Sequence, residues 1–308
     1  PPATTTTTPP PTTTTPPPPT TTTTTTTPPP PPTTTTTTVT GGLRHTGWII
    51  VYAAGNPSIV PWSQISSLIY QNIYCASSTN PTLLLQGGYS WSQLSNLASQ
   101  ANAHGVPLIA CLWGGGDPAK NDMTPVLRNI IANPTLKQQL FNNLNALCDQ
   151  YNLAGIAIDW EGSYPDPQTY ANFLKDMRAA LGTKLITPIG SWTEVSINSS
   201  AAPYIDWLSL MSYDYWVLPY YGTLAQVQQT VNNWINAGWP KNKIDIGIEF
   251  LDMTGAWSPI DVITAKAAWA KSFGLGGAWG YLIDYQQRNN MGQMQAIYNG
   301  LGGIISLN

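Results

Sequence analysis

Asp159 and Glu161 close the run Leu153-Ala-Gly-Ile-Ala-Ile-Asp-Trp-Glu161, which is apolar until its last residues. The run reads as a buried β-strand. Side chains two apart on a strand point the same way, so both carboxyl groups sit on one face. Two carboxyl groups that close do not both ionise freely, and one of them holds a proton near neutrality. A protonated carboxyl held by a second carboxyl is what a general acid needs in order to protonate the leaving oxygen of a glycosidic bond. Two solvated acids at a strand end would give the same letters, so the surroundings have to decide.

Those surroundings read as strand and helix in alternation. Apolar, β-rich runs occur at Trp48–Ala53, Ser67–Cys75, Pro107–Trp113, Gly155–Trp160, Leu185–Ser191, Trp207–Ser212, Ile244–Phe250 and Gly277–Ile283. Helical spacing predicts helices at Ser92–Ala103, over Pro125–Tyr151 with a break near Asn133-Pro134, and at Pro167–Leu181, Leu224–Ala237, Ile260–Phe273 and Gln287–Leu301. Continuous apolar strands separated by helices imply a parallel sheet covered by helices. Eight such units imply an α/β fold of the (β/α)8 TIM-barrel type, whose active site lies at the C-terminal strand ends. Asp159 and Glu161 fall at that end of the fourth predicted strand.

Other rim positions suit a sugar. Trp113, Trp160, Trp192, Trp216 and Trp279 lie at or just past strand ends. Flat aromatic faces pack against the C–H faces of sugar rings. Gly114-Gly115-Gly116 lets backbone approach a ligand closely. Tyr213 and Asp214 end the sixth strand and add a phenol and a third carboxylate. Glu249 ends the seventh and receives no role from the sequence.

The rest of the chain bounds the partners. Residues 1–40 are Thr and Pro apart from Ala3 and Val39, and they cannot build a core. This tail is expected to be an extended, polyproline II-like stalk or linker, O-glycosylated at threonines such as Thr4, Thr5, Thr12, Thr20 and Thr33. Self-assembly through it is a second use. Residues 41–308 have the length of one barrel. A net charge of −3 without a basic run disfavours nucleic acid. No apolar run is long enough for a membrane span. The start at Pro1 without a leader reads as a processed product. Sparse charge and a Thr/Pro stalk suit an extracellular or cell-surface location. Asn198-Ser199-Ser200 is an N-glycosylation sequon. The three cysteines, Cys75, Cys111 and Cys148, are too few for a disulfide scaffold; a Cys75–Cys111 bridge and buried free thiols are both open. No His/Cys cluster has metal-ligand spacing, so no metal is expected.

Over residues 45–308 the chain resembles glycoside hydrolase family 18, the chitinases and their relatives. The fourth-strand signature of that family, Asp-x-x-Asp-x-Asp-x-Glu, matches Ala154 through Glu161 with its last Asp and its Glu in place and alanines at 154 and 157. The third-strand motif is similar to Leu112-Trp113-Gly114-Gly115, with its Ser missing. Met211-Ser212-Tyr213-Asp214 matches the sixth-strand motif in full. The eighth-strand segment resembles Gly276 to Asp284, with Tyr281 where the pocket-floor Trp usually stands and Trp279 two residues earlier. The resemblance implies a retaining, substrate-assisted cleavage of N-acetylglucosamine polysaccharide or oligosaccharide without a cofactor. It implies Glu161 as acid and base, Asp159 orienting the acetamido group, Tyr213 donating to its carbonyl and Asp214 holding the distorted sugar. Trp113, Trp160, Met211, Trp216, Trp279 and Tyr281 would then line the substrate site. Ala157 removes a carboxyl neighbour of Asp159, which is expected to ease the ionisation of Asp159 and reduce turnover. A chitinase-like lectin or structural glycoprotein of a surface filament is the alternative.

Overall fold

The computed structural model describes residues 42–49, 56–85, 90–114, 124–161, 164–215, 219, 221–252, 254–285 and 292–303. Backbone contacts divide the chain into Pro1–Thr34 and Thr35–Asn308, and all described residues belong to the second unit. The five threonines singled out in the tail, Thr4, Thr5, Thr12, Thr20 and Thr33, lie outside the described residues, as does Trp216.

The strands are β1 (Arg44–Ile49), β2 (Ser67–Ser77), β3 (Asn80–Leu85), β4 (Leu108–Trp113), β5 (Gly155–Asp159), β6 (Leu185–Gly190), β7 (Leu208–Leu210), β8 (Ile244–Glu249) and β9 (Gly277–Tyr281). Eight of them are parallel, in the order β1-β9-β8-β7-β6-β5-β4-β2, and pairing of β1 with β2 closes the ring. The helices are α1 (Trp91–Ala103), α2 (Thr124–Ala132), α3 (Pro134–Tyr151), α4 (Pro167–Leu181), α5 (Leu224–Asn236), α6 (Ile260–Phe273) and α7 (Gln293–Gly300). This is the (β/α)8 TIM barrel expected from the alternation.

Local chemistry sets the boundaries. Asn133 ends α2 and caps α3, its side-chain oxygen accepting from the backbone N–H of Thr135 and Leu136, with Pro134 opening the helix. Ser90 with Gln93 and Thr223 with Gln226 form capping boxes on α1 and α5.

Two elements differ from expectation. β1 covers Arg44–Ile49 rather than Trp48–Ala53, of which residues 50–53 lie outside the described part. Its polar start hides it in the sequence, but polar groups there find partners: the backbone N–H of His45 donates to Ser66 Oγ (2.8 Å) and Thr46 shares a hydrogen bond with Ser67 (2.8 Å). β3 was not expected, because Asn80-Pro81 looks like a turn. It pairs antiparallel with β2 alone, an edge position where a proline without N–H is tolerated.

Two apolar layers follow from the two-residue strand repeat. The larger lies between barrel and helices and takes Ile156, Ile158 and Trp160 from the β5 run, with Leu144, Tyr170 and Leu174 from α3 and α4. The smaller fills the barrel interior and contains Trp48, Ile69, Ile109, Cys111, Ala157, Ile189, Trp207, Tyr213 and Trp279. Gly247 makes room there: a Cβ at this position would lie 2.6 Å from the Tyr213 ring and 2.7 Å from that of Trp279. All three cysteines are buried free thiols, so Cys75 and Cys111 are not bridged.

At the N-terminal end of the barrel, Arg44 closes the interior. Its guanidinium donates to both oxygens of fully buried Asp245 (2.6–3.1 Å), donates to the Asn242 carbonyl (3.0 Å) and lies over the Trp207 ring. Burial raises the pKa of Asp245 and the Arg44 charge pulls it back. Replacing Arg44 with Met strands a buried carboxyl without its cation. The expected cost is about 3–5 kcal/mol of unfolding free energy, read as a lowered denaturant midpoint.

Candidate active site

The C-terminal ends of β4, β5, β7, β8 and β9 gather the candidate chemistry. Trp113 and Asp159 are register partners across β4 and β5, and Glu249 and Tyr281 across β8 and β9. Tyr213 and Asp214 follow β7 directly.

Asp159 points inward and is only 3% exposed. Its Oδ2 accepts from Gln71 Nε2 of β2 at 3.0 Å, whereas Oδ1 is shut off from solvent and has no hydrogen-bond partner. An oxygen so placed is costly as a carboxylate and stable as an acid. The pKa of Asp159 accordingly stands well above the ordinary carboxyl range, through burial first and the Glu161 charge second, with the Gln71 bond opposing. With alanine at 157, burial is the first influence on this pKa and the Glu161 charge the second. Beneath Asp159 lie fully buried Ala157 and the Cys111 thiol, itself pushed up by burial and by Asp159.

Glu161 is exposed at the mouth. Its pKa is raised by the crowding of the throat and by the Asp214 charge, although solvent reaches the carboxyl and screens both effects. One acid of the pair is thus buried and proton-holding, and the other is open to a ligand.

Tyr213 is buried, stacks on Tyr281 with centroids 5.7 Å apart and meets Trp279 edge-on at 5.5 Å. Asp214 is half-buried and adopts a left-handed backbone (φ 55°), one that a short polar side chain tolerates better than most. Met211, Trp113 and Tyr281 are half-buried at the mouth, with Met211 and Tyr281 packed on the interior cluster. Trp279 is 1% exposed and sits deeper, against Trp48 at 5.1 Å. It supports the floor rather than offering a free face.

Trp160 is not brought to the mouth. Its place between Asp159 and Glu161 turns it outward, where it is fully buried against Tyr170 at 5.3 Å. A sugar cannot reach it there. Asn198 is exposed and caps a 3-10 turn (Ser199–Tyr204), its side-chain oxygen accepting from Ser200 N.

The structure adds residues that the sequence reading missed. Gln71 carried a signal, since it continues the inward series Ser67, Ile69, Gln71. Tyr164 carried none. It lies past β5, hydrogen-bonds Ser191, and feels Glu161 and Asp159, which with burial raise its pKa. Lys266 of α6 is a lysine on a buried helix face, fully enclosed, with Nζ donating to the Tyr221 carbonyl at 2.6 Å. Two surface grooves on the helical flank, around Trp91 and Tyr151 and around Trp62 and His104, contain none of these acids. Among the described residues, no group of His, Cys, Asp and Glu is arranged to hold a metal ion, and no helix is long and apolar enough to cross a membrane.

Comparison with known proteins agrees with this fold. Residues 49–261 match the family model of glycosyl hydrolases family 18. A search of curated proteins finds no match. Among solved structures, a family 18 chitinase from Cycas revoluta, in complex with allosamidin, is 15% identical with a TM-score of 0.71, over 84% of this chain and 100% of that one. A family 18 chitinase from the chitin utilization locus of Flavobacterium johnsoniae is 15% identical (TM-score 0.70; 84% and 94% covered). A chitinase-like agglutinin from Robinia pseudoacacia is 18% identical (TM-score 0.70; 83% and 99% covered).

The space below Asp159 has closed around an alanine. Ala157→Asp would place a buried acid among the apolar side chains Ile109, Cys111 and Ile189. The expected result is a loss of about 1–3 kcal/mol, read from the urea midpoint.

Proposed function

The chain belongs to glycosyl hydrolase family 18, and we propose that it is an extracellular, chitinase-like hydrolase of β-1,4-linked N-acetylglucosamine glycans. The observation that carries this reading is the division of labour at the end of β5. Asp159 is buried and protonated, Glu161 is exposed to an incoming bond, and the Tyr213 phenol lies on the same mouth.

In the proposed reaction, Glu161 gives its proton to the glycosidic oxygen. The carbonyl oxygen of the substrate's own 2-acetamido group attacks the anomeric carbon as the bond to the leaving sugar breaks. As Glu161 becomes a carboxylate, Asp159 shares its proton outward with it, so that the Asp159 carboxyl gains negative charge, accepts a hydrogen bond from the acetamido N–H and stabilises the positive oxazolinium ion. Tyr213 donates to the acetamido carbonyl and fixes its angle of attack. Glu161, now a carboxylate, takes a proton from water as that water opens the oxazolinium ring, which restores the acid and retains configuration. Trp113 and Tyr281 supply aromatic surface for the sugar rings. No step uses a cofactor. With Ala157 beneath it, Asp159 has no deeper carboxyl with which to exchange its proton, and turnover is reduced accordingly. The Thr/Pro tract serves as an O-glycosylated stalk.

The agglutinin among the structural neighbours and the alanine at 157 favour a second reading, a lectin or surface-filament glycoprotein that binds the same glycan without cleaving it. One assay separates the two. The domain is incubated with a chromogenic N-acetylchitooligosaccharide beside Glu161→Gln. Release that falls by about 10²–10⁴-fold in the variant supports hydrolysis. Tight binding without release by either protein supports the lectin, and absence of both binding and release defeats both readings.

A further inference from the structure

Glu249 is the fourth acid of the mouth, and the reaction above leaves it unused. It ends β8, is 4% exposed, and its Oε2 is closed to solvent with no donor in reach. Its carboxyl faces that of Asp214 at hydrogen-bond distance. Two carboxylates cannot hydrogen-bond each other, so a proton must lie between them. The surroundings decide which acid carries it. Asp214 is half-buried and partly wetted, whereas Glu249 is enclosed.

We propose that Glu249 is a positioning residue: as a neutral carboxylic acid it donates the hydrogen bond that fixes the Asp214 carboxylate at the barrel mouth. This role rests on the function proposed above, because Asp214 needs a fixed direction only if it holds a sugar.

The groups around Glu249 agree. Asp214 and Asp252 add negative charge, and Tyr213 and Tyr281 are un-ionised neighbours. Asp252 offers no donor, since its Oδ1 is taken by Thr254 N, Thr254 Oγ1 and Ala256 N at 2.7–2.9 Å. Among the described residues, the cation facing the site is Lys266, which donates to the Tyr221 carbonyl and pulls the other way only weakly. Burial and the two aspartates raise the pKa of Glu249 to about 9; burial also raises that of Asp214, and the hydrogen bond from Glu249 opposes that rise. Asp214 in turn is the charge that Glu161 feels, so the proton on Glu249 holds Asp214 ionised beside the acid.

The test compares wild type with Glu249→Gln and Glu249→Ala. The carboxamide of Gln donates as the neutral acid does and cannot ionise. A glutamate that keeps its proton when folded and loses it when unfolded disfavours the native state as pH rises from its ordinary 4.5 to about 9. The melting-temperature gap between Glu249→Gln and wild type should therefore widen across that range and stay flat below it. Cleavage of the chromogenic oligosaccharide should be largely kept by Gln and fall on the order of 10²-fold in Ala, mainly in kcat. A gap that does not change with pH overturns the proposal. So does an Ala variant that cleaves like wild type, or a Gln variant as poor as Ala. A wild type that neither binds nor cleaves the glycan defeats the proposed function. It removes the positioning role with it, while a widening gap would still locate the proton.

Discussion

A carboxyl group with one oxygen cut off from water and without an N–H or O–H to accept from is costly to ionise and keeps its proton. That constraint organises the mouth of this barrel. It holds at Asp159 Oδ1 and again at Glu249 Oε2, on opposite walls of the same opening. Each enclosed acid faces a wetter partner, Glu161 in one case and Asp214 in the other. The four acids thus form two pairs, each with a buried member that keeps a proton and an outer member that meets a ligand. Charge is held low in the interior and delivered at the rim, where a substrate would use it.

The arrangement opposes stability. Acids with raised pKa values favour the native state less as pH rises through the neutral range, and a barrel that carries several of them must be held from elsewhere. The N-terminal end supplies one such restraint, where Arg44 meets Asp245 with two nitrogens and covers Trp207. The interior supplies another, since Trp48, Trp207 and Trp279 fill it with little polar atom area and Gly247 lets the rings close up. Sequence composition set this division in advance: aromatic side chains are plentiful and charged ones few, so each charge that enters the barrel has a specific neighbour.

Much of this could be read from the chain. Strand–helix alternation carries the barrel, because apolar periodicity is a local property. Alternation within β5 carries the direction of Asp159 and Glu161 for the same reason. That same alternation should have removed Trp160 from the sugar-facing set, since a residue between two inward side chains points outward. What the sequence could not show depends on neighbours far along the chain. The partner of Arg44 lies 201 residues away. β3 was hidden by a proline that only an edge strand accepts. Glu249 could be placed at a strand end, but its meaning comes from Asp214 on the adjacent strand. The pKa of Asp159 depends on the fold in the same way. Sequence shows which like charge is missing at position 157, whereas burial, the larger influence, is a property of the closed barrel.

Ala157 has a further consequence, for the path of the proton. With the wall below Asp159 made of Ala157 and Cys111, no second acid lies deeper to take the proton over. The donor on its other oxygen is Gln71, an amide that holds the carboxyl in place but neither gives up nor accepts a proton. The exchange partner left to Asp159 is Glu161, so the proton economy of that wall runs outward only. Asp159 is anchored from the side by an amide and coupled upward to one acid. Such a site can orient an acetamido group and steady a positive ion without any rearrangement beneath it. A chain that trades a buried relay for a fixed anchor keeps the geometry of the reaction and gives up part of its means of resetting. That combination suits slow turnover and persistent hold on a glycan equally, which is why the acid at 161, rather than the alanine at 157, separates the two.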